Sequence, residues 1–476
     1  MGEFRHTRRT DSGNPGDTAS SDGLPTAEPG TPAPAQAVHR RALDREILAL
    51  AVPALGALVA EPLFTLVDSA VVGHLGTPEL AGLSLASTLL ITLVGLCIFL
   101  AYATTAQVAR LSGAGREAEA MKAGIDGLWL ALALGVVLAV ALVATAPLAV
   151  DALGAQDAVG QHAVTYLRWS APGLPGMLLV LATTGVLRGL QDTRTPLVVA
   201  TAGAVLNAVL NVVLVYGAGL GIAGSGLGTA VTQLLMGAVL VARVARGARA
   251  RGASLRPHVS GIGASARAGA PLLVRTVSLR AAILLTVHAA TALGPVTLAG
   301  HQVVNSLWAL AAFALDALAI AAQALIGHAL GAGDVARVRA ILRRTVQWGA
   351  WAGAAGGLVL AAAGWWLAPL FTADPGVRVA VALAMLPCGL LMPLTGVVCV
   401  LDGVLIGAGD GRYLAWVGVA NLVAYVPFVL TLPLWVPDGG ARLAWLWLAW
   451  SGVFMGVRTL TTALRARGAG WLVTGA

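Results

Sequence analysis

The sequence has 476 residues, 58% of them hydrophobic and only 11% charged, against about 25% charged in an ordinary soluble domain. That deficit excludes one soluble globule of this length, and apolar blocks of roughly 20 to 29 residues, in place of alternating ~10-residue strands, exclude a membrane β-barrel. The net charge of +8 is carried by arginine, Lys122 being the only lysine, and its placement in short connections between apolar blocks points to membrane topology, not to nucleic-acid binding.

In chain order, residues 1–43 are rich in Pro, Gly, Ser, Thr and Asp. Such a segment cannot bury enough apolar surface to order itself, so a disordered tail is expected. No apolar stretch follows its early arginines, which argues against a cleavable signal peptide. Twelve helical spans are then expected near 46–72, 80–108, 123–149, 162–188, 195–216, 221–245, 266–292, 298–328, 345–371, 378–406, 413–435 and 442–464. The fold class is thus an all-α polytopic membrane protein. Arg110, Arg116, Lys122, Arg188, Arg194, the run Arg243 to Arg267, Arg337 to Arg344, Arg465 and Arg467 fall in alternate connections, while "GHLGTPE", "DALGAQDAVGQ", "GAGLG" and "ALGPVT" carry no positive charge. The excess of positive charge inside predicts that both termini are cytoplasmic, in a multi-pass protein of the cell membrane. Cys97, Cys388 and Cys399 lie within apolar blocks, without the spacing of a metal site or a disulfide framework.

The chain repeats itself. Leu80-Ala81-Gly82 recurs as Leu298-Ala299-Gly300, Gly113-Ala114-Gly115 as Gly331-Ala332-Gly333, Pro53 as Pro271 and Pro175 as Pro393, always 218 residues on. "GVLRGLQDTR" at 185–194 pairs with "GVLIGAGDGR" at 403–412 at the same shift. One constant offset predicts a duplicated six-helix unit: an N-lobe over 44–245, a cytoplasmic linker over 246–265, a C-lobe over 266–465 and a short tail over 466–476. Six is even, so the lobes enter the membrane in the same sense, related by an axis along its normal. Two such lobes enclose a cleft and can rock about it. The sequence has neither a phosphate-binding GxxxxGK[ST] loop nor an HExxH motif, so pumping would draw on an ion gradient.

A charge at bilayer depth costs at least ~2.5–3.5 kcal/mol and asks for a role. Glu61 and Asp68 in the first span are seven residues apart, so they share a helix face about 10 Å apart. Pro62 lies between them and is expected to kink the helix. An acid beside such a bend can hold a proton when desolvated and release it when hydrated. Snorkelling to the interface is the bland alternative for Asp68, and Glu61 is balanced between site and scaffold. Asn207 and Asn211 stack one turn apart in the fifth span, suited equally to a carboxylate, a substrate or a neighbouring helix. Thr184 and Thr229 carry weaker signals. In the second lobe, Arg280 needs an acidic partner, for which Asp316 and Asp402 are on offer. Gln302 and Asn305 precede Asp316 on the eighth span and could line the same cleft. Arg275 reads as a snorkelling arginine, His301 and His328 as packing or interface residues, Trp365 and Trp366 as belt aromatics.

Three blocks in order, "EPLFTLVDSAVVGHLG" followed by "ELAGLS", "LNAVLNVVLVYGAGLGIAGSGLGTAVTQ" and "LAGHQVVNSLWALAAFALDALAIAAQALIGHALGAGD", resemble the multidrug and toxic compound extrusion (MATE) transporters, and among them the DinF-like branch. The resemblance covers about residues 44–465. It implies a two-lobe exporter, not an enzyme, that exchanges organic compounds for H⁺ or Na⁺ without a cofactor. It places the proton carrier at Asp68 and the amino-lobe pocket at Phe64, Thr184, Asn207 and Thr229. Relatives often carry a second acid on the fifth span where this chain has Asn211, which favours proton coupling through Asp68 alone with Asn207 and Asn211 as hydrogen-bonding neighbours. Glu61, Asp68, Asp316 and Asp402 favour organic cations or amphiphiles, and a two-lobe monomer needs no protein partner. A lipid-linked oligosaccharide flippase would want more cavity cations than Arg280, a channel would not need Asp68, and an intramembrane enzyme would need a nucleophile–base or metal cluster. An exporter dedicated to one metabolite would look the same.

Overall fold

The computed structural model describes residues 34–155 and 157–475, with side chains from residue 40 onward except that of Glu61. Of the expected tail, residues 1–33 lie outside the described residues. The chain is already helical from Pro34, ahead of the boundary placed at residue 44, because the stretch into the membrane is built of alanine, arginine, leucine and glutamate, which favour helix.

The spans are α1 (Pro34–Gly73), α2 (Thr77–Gly113), α3 (Glu117–Ala152), α4 (Asp157–Gly189), α5 (Arg194–Gly217) and α6 (Gly221–Ala250). The second lobe has α7 (Val259–Ala292), α8 (Pro295–Gly331), α9 (Val335–Phe371), α10 (Pro375–Leu390 and Met392–Gly407), α11 (Gly411–Trp435) and α12 (Arg442–Arg467). No strand occurs among the described residues. Several helices outrun their apolar cores at the arginine-rich end. In α9 the extra turns start where the Asp334 carboxylate accepts the backbone N–H of Arg337, an N-cap that begins the helix at the first arginines of the connection.

Proline shapes both lobes at matching places. Helix α4 tightens over Ala171–Gly173, beside Pro172 and Pro175, and α10 bends by 52° at Leu391, between Pro387 and Pro393. Leu391 is 218 residues from Gly173. A proline lacks the N–H that would close the helical turn, so the regular winding is interrupted at the matching place in each lobe, with a bend in α10.

The lobes meet at the arginine-rich end. A β-carbon on Gly113 would strike the His328 carbonyl, and one on Gly331 would strike that of Arg110. Because 110 and 328 are repeat partners, as are 113 and 331, the contact maps onto itself under the pseudo-two-fold. Around it a core drawn from both lobes includes Val108, Leu187, Leu325, Leu330 and Leu405. At the opposite end each lobe has a separate core, one around Leu83, Tyr166 and Leu174, the other around Val381, Tyr425 and Trp447. The molecule is closed at one end and parted at the other.

The segment after α12 reinforces the closed end. Trp471 is buried and donates its indole N–H to the Ala466 carbonyl at 3.1 Å, and the Gly475 N–H reaches the Leu330 carbonyl at 3.0 Å. Arg110 donates to the carbonyls of Ala408 (2.9 Å), Val473 (2.8 Å) and Gly475 (2.7 Å), so one N-lobe guanidinium clasps two parts of the C-terminal half.

Candidate functional site

Asp68 sits in α1 with only 6% of its surface exposed. Asn211 of α5 donates its amide N–H to Asp68 Oδ1 at 2.6 Å. Tyr166 of α4 and Thr229 of α6 donate hydroxyls to Oδ2 at 3.3 and 3.4 Å. Asn207 lies behind, its amide 3.4 Å from Thr229 Oγ1 and its Oδ1 accepting from Asn211 at 3.1 Å. The i, i+4 spacing of the two asparagines is thus used as a stack aimed at the acid, and α5 widens into a π-bulge over Val213–Gly217 just beyond it. Every partner of Asp68 among the described residues is neutral. Tyr166 is the member that sequence reasoning missed, one tyrosine in a half-polar helix start with no signal to single it out.

Asp68 forms part of the wall of a cavity of about 270 Å³ in the N-lobe. Phe64, Thr184, Thr229 and Tyr166 line it with Asp68, and Leu90, Ile91, Val94, Met177 and Met236 supply an apolar wall. Asn207 and Asn211 are fully buried behind that wall. Glu61 belongs to α1, but its side chain lies outside the described residues.

The repeat shows that residues lining this cavity have larger counterparts in the other lobe. At the C-lobe positions 218 residues on, Leu90 becomes Trp308, Thr229 becomes Trp447 and Met236 becomes Phe454. These large rings pack together, with Trp308–Trp447 centroids 6.1 Å apart and Trp450–Phe454 stacked at 4.8 Å. Asp68 and Asn207 are matched by Thr286 and Tyr425, whose hydroxyls bond at 2.8 Å. The second copy has filled the space and removed the acid.

The charged residues of the C-lobe are arranged otherwise than expected. Asp402 of α10 is paired with Arg275 of α7 and Arg458 of α12, both guanidinium groups reaching its Oδ2. Arg280 is not its partner. It crosses to α2, where a β-carbon on Gly95 would lie 2.7 Å from its guanidinium. Arg275 does not snorkel; from the middle of α7 it reaches Asp402 and stands over the Tyr102 ring at 6.0 Å, so an acid within the structure takes the place of interfacial water. Asp316 of α8 has Arg458, Arg275 and Asp402 as its charged neighbours. Gln302 and Asn305 are exposed and lie off the N-lobe cavity. His301 is buried against Trp447, ring centroids 5.6 Å apart. Among the described residues no group of three or more His, Cys, Asp or Glu side chains is placed to hold a metal ion.

Twelve apolar spans in two pseudo-symmetric lobes, parted at one end, with a buried acid on the wall of an N-lobe cavity, define a multi-span membrane transporter of the two-lobe type. The chain belongs to the MatE family, whose model matches residues 53–213 and again 271–431, two segments offset by the 218-residue repeat. It is 30% identical over 431 residues to the DNA damage-inducible protein F of Escherichia coli, covering 88% of this chain and 91% of that protein, which places it with the DinF-like transporters. Protein DETOXIFICATION 44, chloroplastic, of Arabidopsis thaliana is also 30% identical, over 89% of this chain and 82% of that protein. The bent form of the Vibrio cholerae MATE transporter VcmN superposes with a TM-score of 0.82 over 91% of this chain and 98% of that one, at 20% identity.

Proposed function

We propose that the chain is a monomeric secondary antiporter of the cell membrane, with both termini cytoplasmic, exporting amphiphilic organic compounds in exchange for protons. The observation that carries the reading is Asp68, a buried carboxyl on the cavity wall held by neutral donors from three other helices. With no cation beside it, taking up a proton changes the charge of the wall by one full unit, and nothing nearby cancels the change. A protonated Asp68 can donate to a hydroxyl of Tyr166 or Thr229, or to Asn211 Oδ1, which has no hydrogen-bond partner among the described residues. Sodium fits less well: the amide and the two hydroxyls turn hydrogens to the carboxylate, whereas a hard cation wants a cage of oxygens.

If the arginine-rich end is cytoplasmic, as the excess of positive charge there argues, the parted lobes open outward. External protons then reach Asp68, and substrate leaves as its acid is neutralised. Rocking of the two lobes about the cleft exposes the cavity to the other side. The test is efflux from proteoliposomes under separately imposed H⁺ and Na⁺ gradients. Wild type should respond to the H⁺ gradient and Asp68→Asn, nearly the same shape but unable to titrate, should not. Intact H⁺-driven efflux in that variant overturns the proposal.

A further inference from the structure

The cavity has a second charged residue, at its deep end. Arg188 occupies the last turn of α4, one turn beyond Thr184, and lines the same cavity as Asp68. Its place in the sequence suggested a loop arginine that merely sets topology. Its guanidinium makes no hydrogen bond or ion pair among the described residues, and the polar groups that face it are Tyr102 of α2 and Asp316 of α8. Asp316 is already engaged: with Asp402 it faces Arg275 and Arg458, two acids against two arginines. That group is balanced in formal charge, and Arg188, like Arg280, is a further cation with no ion pair among the described residues. The fold does not demand a charge here, since the repeat partner of Arg188 is Ile406, a buried apolar residue.

We propose that this cavity selects elongated amphiphiles bearing an anionic group, a carboxylate, sulfonate or phosphate bound at Arg188, in preference to simple organic cations. The proposal rests on the reading of the cavity as the substrate site. An arginine keeps its charge at any pH a cell meets, and a fixed cation on a largely apolar cavity wall calls for an anion. Its planar fork of N–H donors matches the paired oxygens of such groups. Along α1 the lining residues run from Ala57 to Asp68, eleven steps of 1.5 Å or about 16 Å. Between the two ends Phe64, Ile91, Val94, Met177 and Leu181 offer an apolar wall. A zwitterion fits with its cation toward ionised Asp68. When Asp68 takes up a proton that attraction ends, while the hold of Arg188 on the anion is unchanged.

The experiment compares binding of a xanthene dye ester, a fixed cation, with its free acid, a zwitterion of the same size, to the purified full-length protein. Wild type should bind the acid at least about tenfold more tightly, the scale of one charge-assisted hydrogen-bonded contact. Arg188→Gln should lose that preference with the ester little changed, and Arg188→Lys should keep part of it. The proposal is overturned if wild type binds the ester as tightly as the acid, if neither dye binds, or if acid binding survives Arg188→Gln. Should the glutamine variant fail to fold, the wild-type ratio and the lysine variant decide. Proton-driven efflux of the ester, lost in Asp68→Asn, is a separate readout: if it holds without the preference, export stands and the anion subsite falls, and the reverse pattern removes export alone.

Discussion

Asp402 shows how one side chain can hold three helices. Its carboxylate is 4% exposed as a residue and accepts from Arg275 of α7 and Arg458 of α12. Removing one member of a buried ionic group leaves an uncompensated charge, at a cost of about 3–5 kcal/mol, whereas replacing the whole group by apolar residues of similar volume is often neutral. Asp402→Asn should therefore lower the melting temperature in detergent markedly, and the triple change Arg275→Met, Asp402→Leu, Arg458→Met should recover most of the loss. A triple variant no more stable than Asp402→Asn would show that the group does more than hold the helices. At this scale the sequence was partly legible. An acid in an apolar span announces itself, as Asp68 does, but a partner 127 residues away depends on helix depth and rotation that no local pattern records, so the sequence points to Arg280 where Arg275 and Arg458 bind. Arg188 was hidden differently: a helix that runs one turn further than its apolar core turns a loop arginine into a cavity residue. The unmatched pair Arg188 and Ile406 was the available clue.

At the level of helices, the contact of α2 with α8 has no room to spare. Gly113 and Gly331 each lie against backbone of the other helix, so any side chain there forces the two helices apart. Gly113→Leu is expected to disfavour the arrangement closed at the arginine-rich end, by the 1–3 kcal/mol typical of overpacking or more. Spin labels on the two lobes at the parted end should then report a shift toward shorter separations; an unchanged distance distribution would refute this. The twelve spans were readable because length and apolarity alone set them, and the repeat supplied their grouping. Their ends were not, because capping by Asp334 and the helix-forming arginine connections extend α9 and its neighbours beyond what the bilayer requires. Nor could spacing foresee that aromatic side chains from α8 and α12 would fill the second lobe's counterpart of the cavity.

For the molecule as a whole, the closed end is tied by residues outside the spans. Trp471 is buried there and Arg110 holds the carbonyls of Val473 and Gly475. Removing residues 468–476 deletes both, and Trp471→Ala alone removes a buried ring worth about 3–5 kcal/mol. Either change should lower the melting temperature and widen label-to-label distances between the lobes at the arginine-rich end; the ring's loss without either effect would mean the segment only rests on the surface. The self-matching contact of Gly113 and Gly331 also carries a consequence for stoichiometry. A patch that pairs with its own copy is the interface of a two-fold homodimer, and here both copies are written on one polypeptide. A true homodimer of such six-helix units would carry every acid twice, with two cavities and no means of altering one alone. Fusion lifts that constraint: the second copy can put Thr286 opposite Asp68 and fill its own cavity with tryptophan, so that a symmetric frame carries a single Asp68 per molecule.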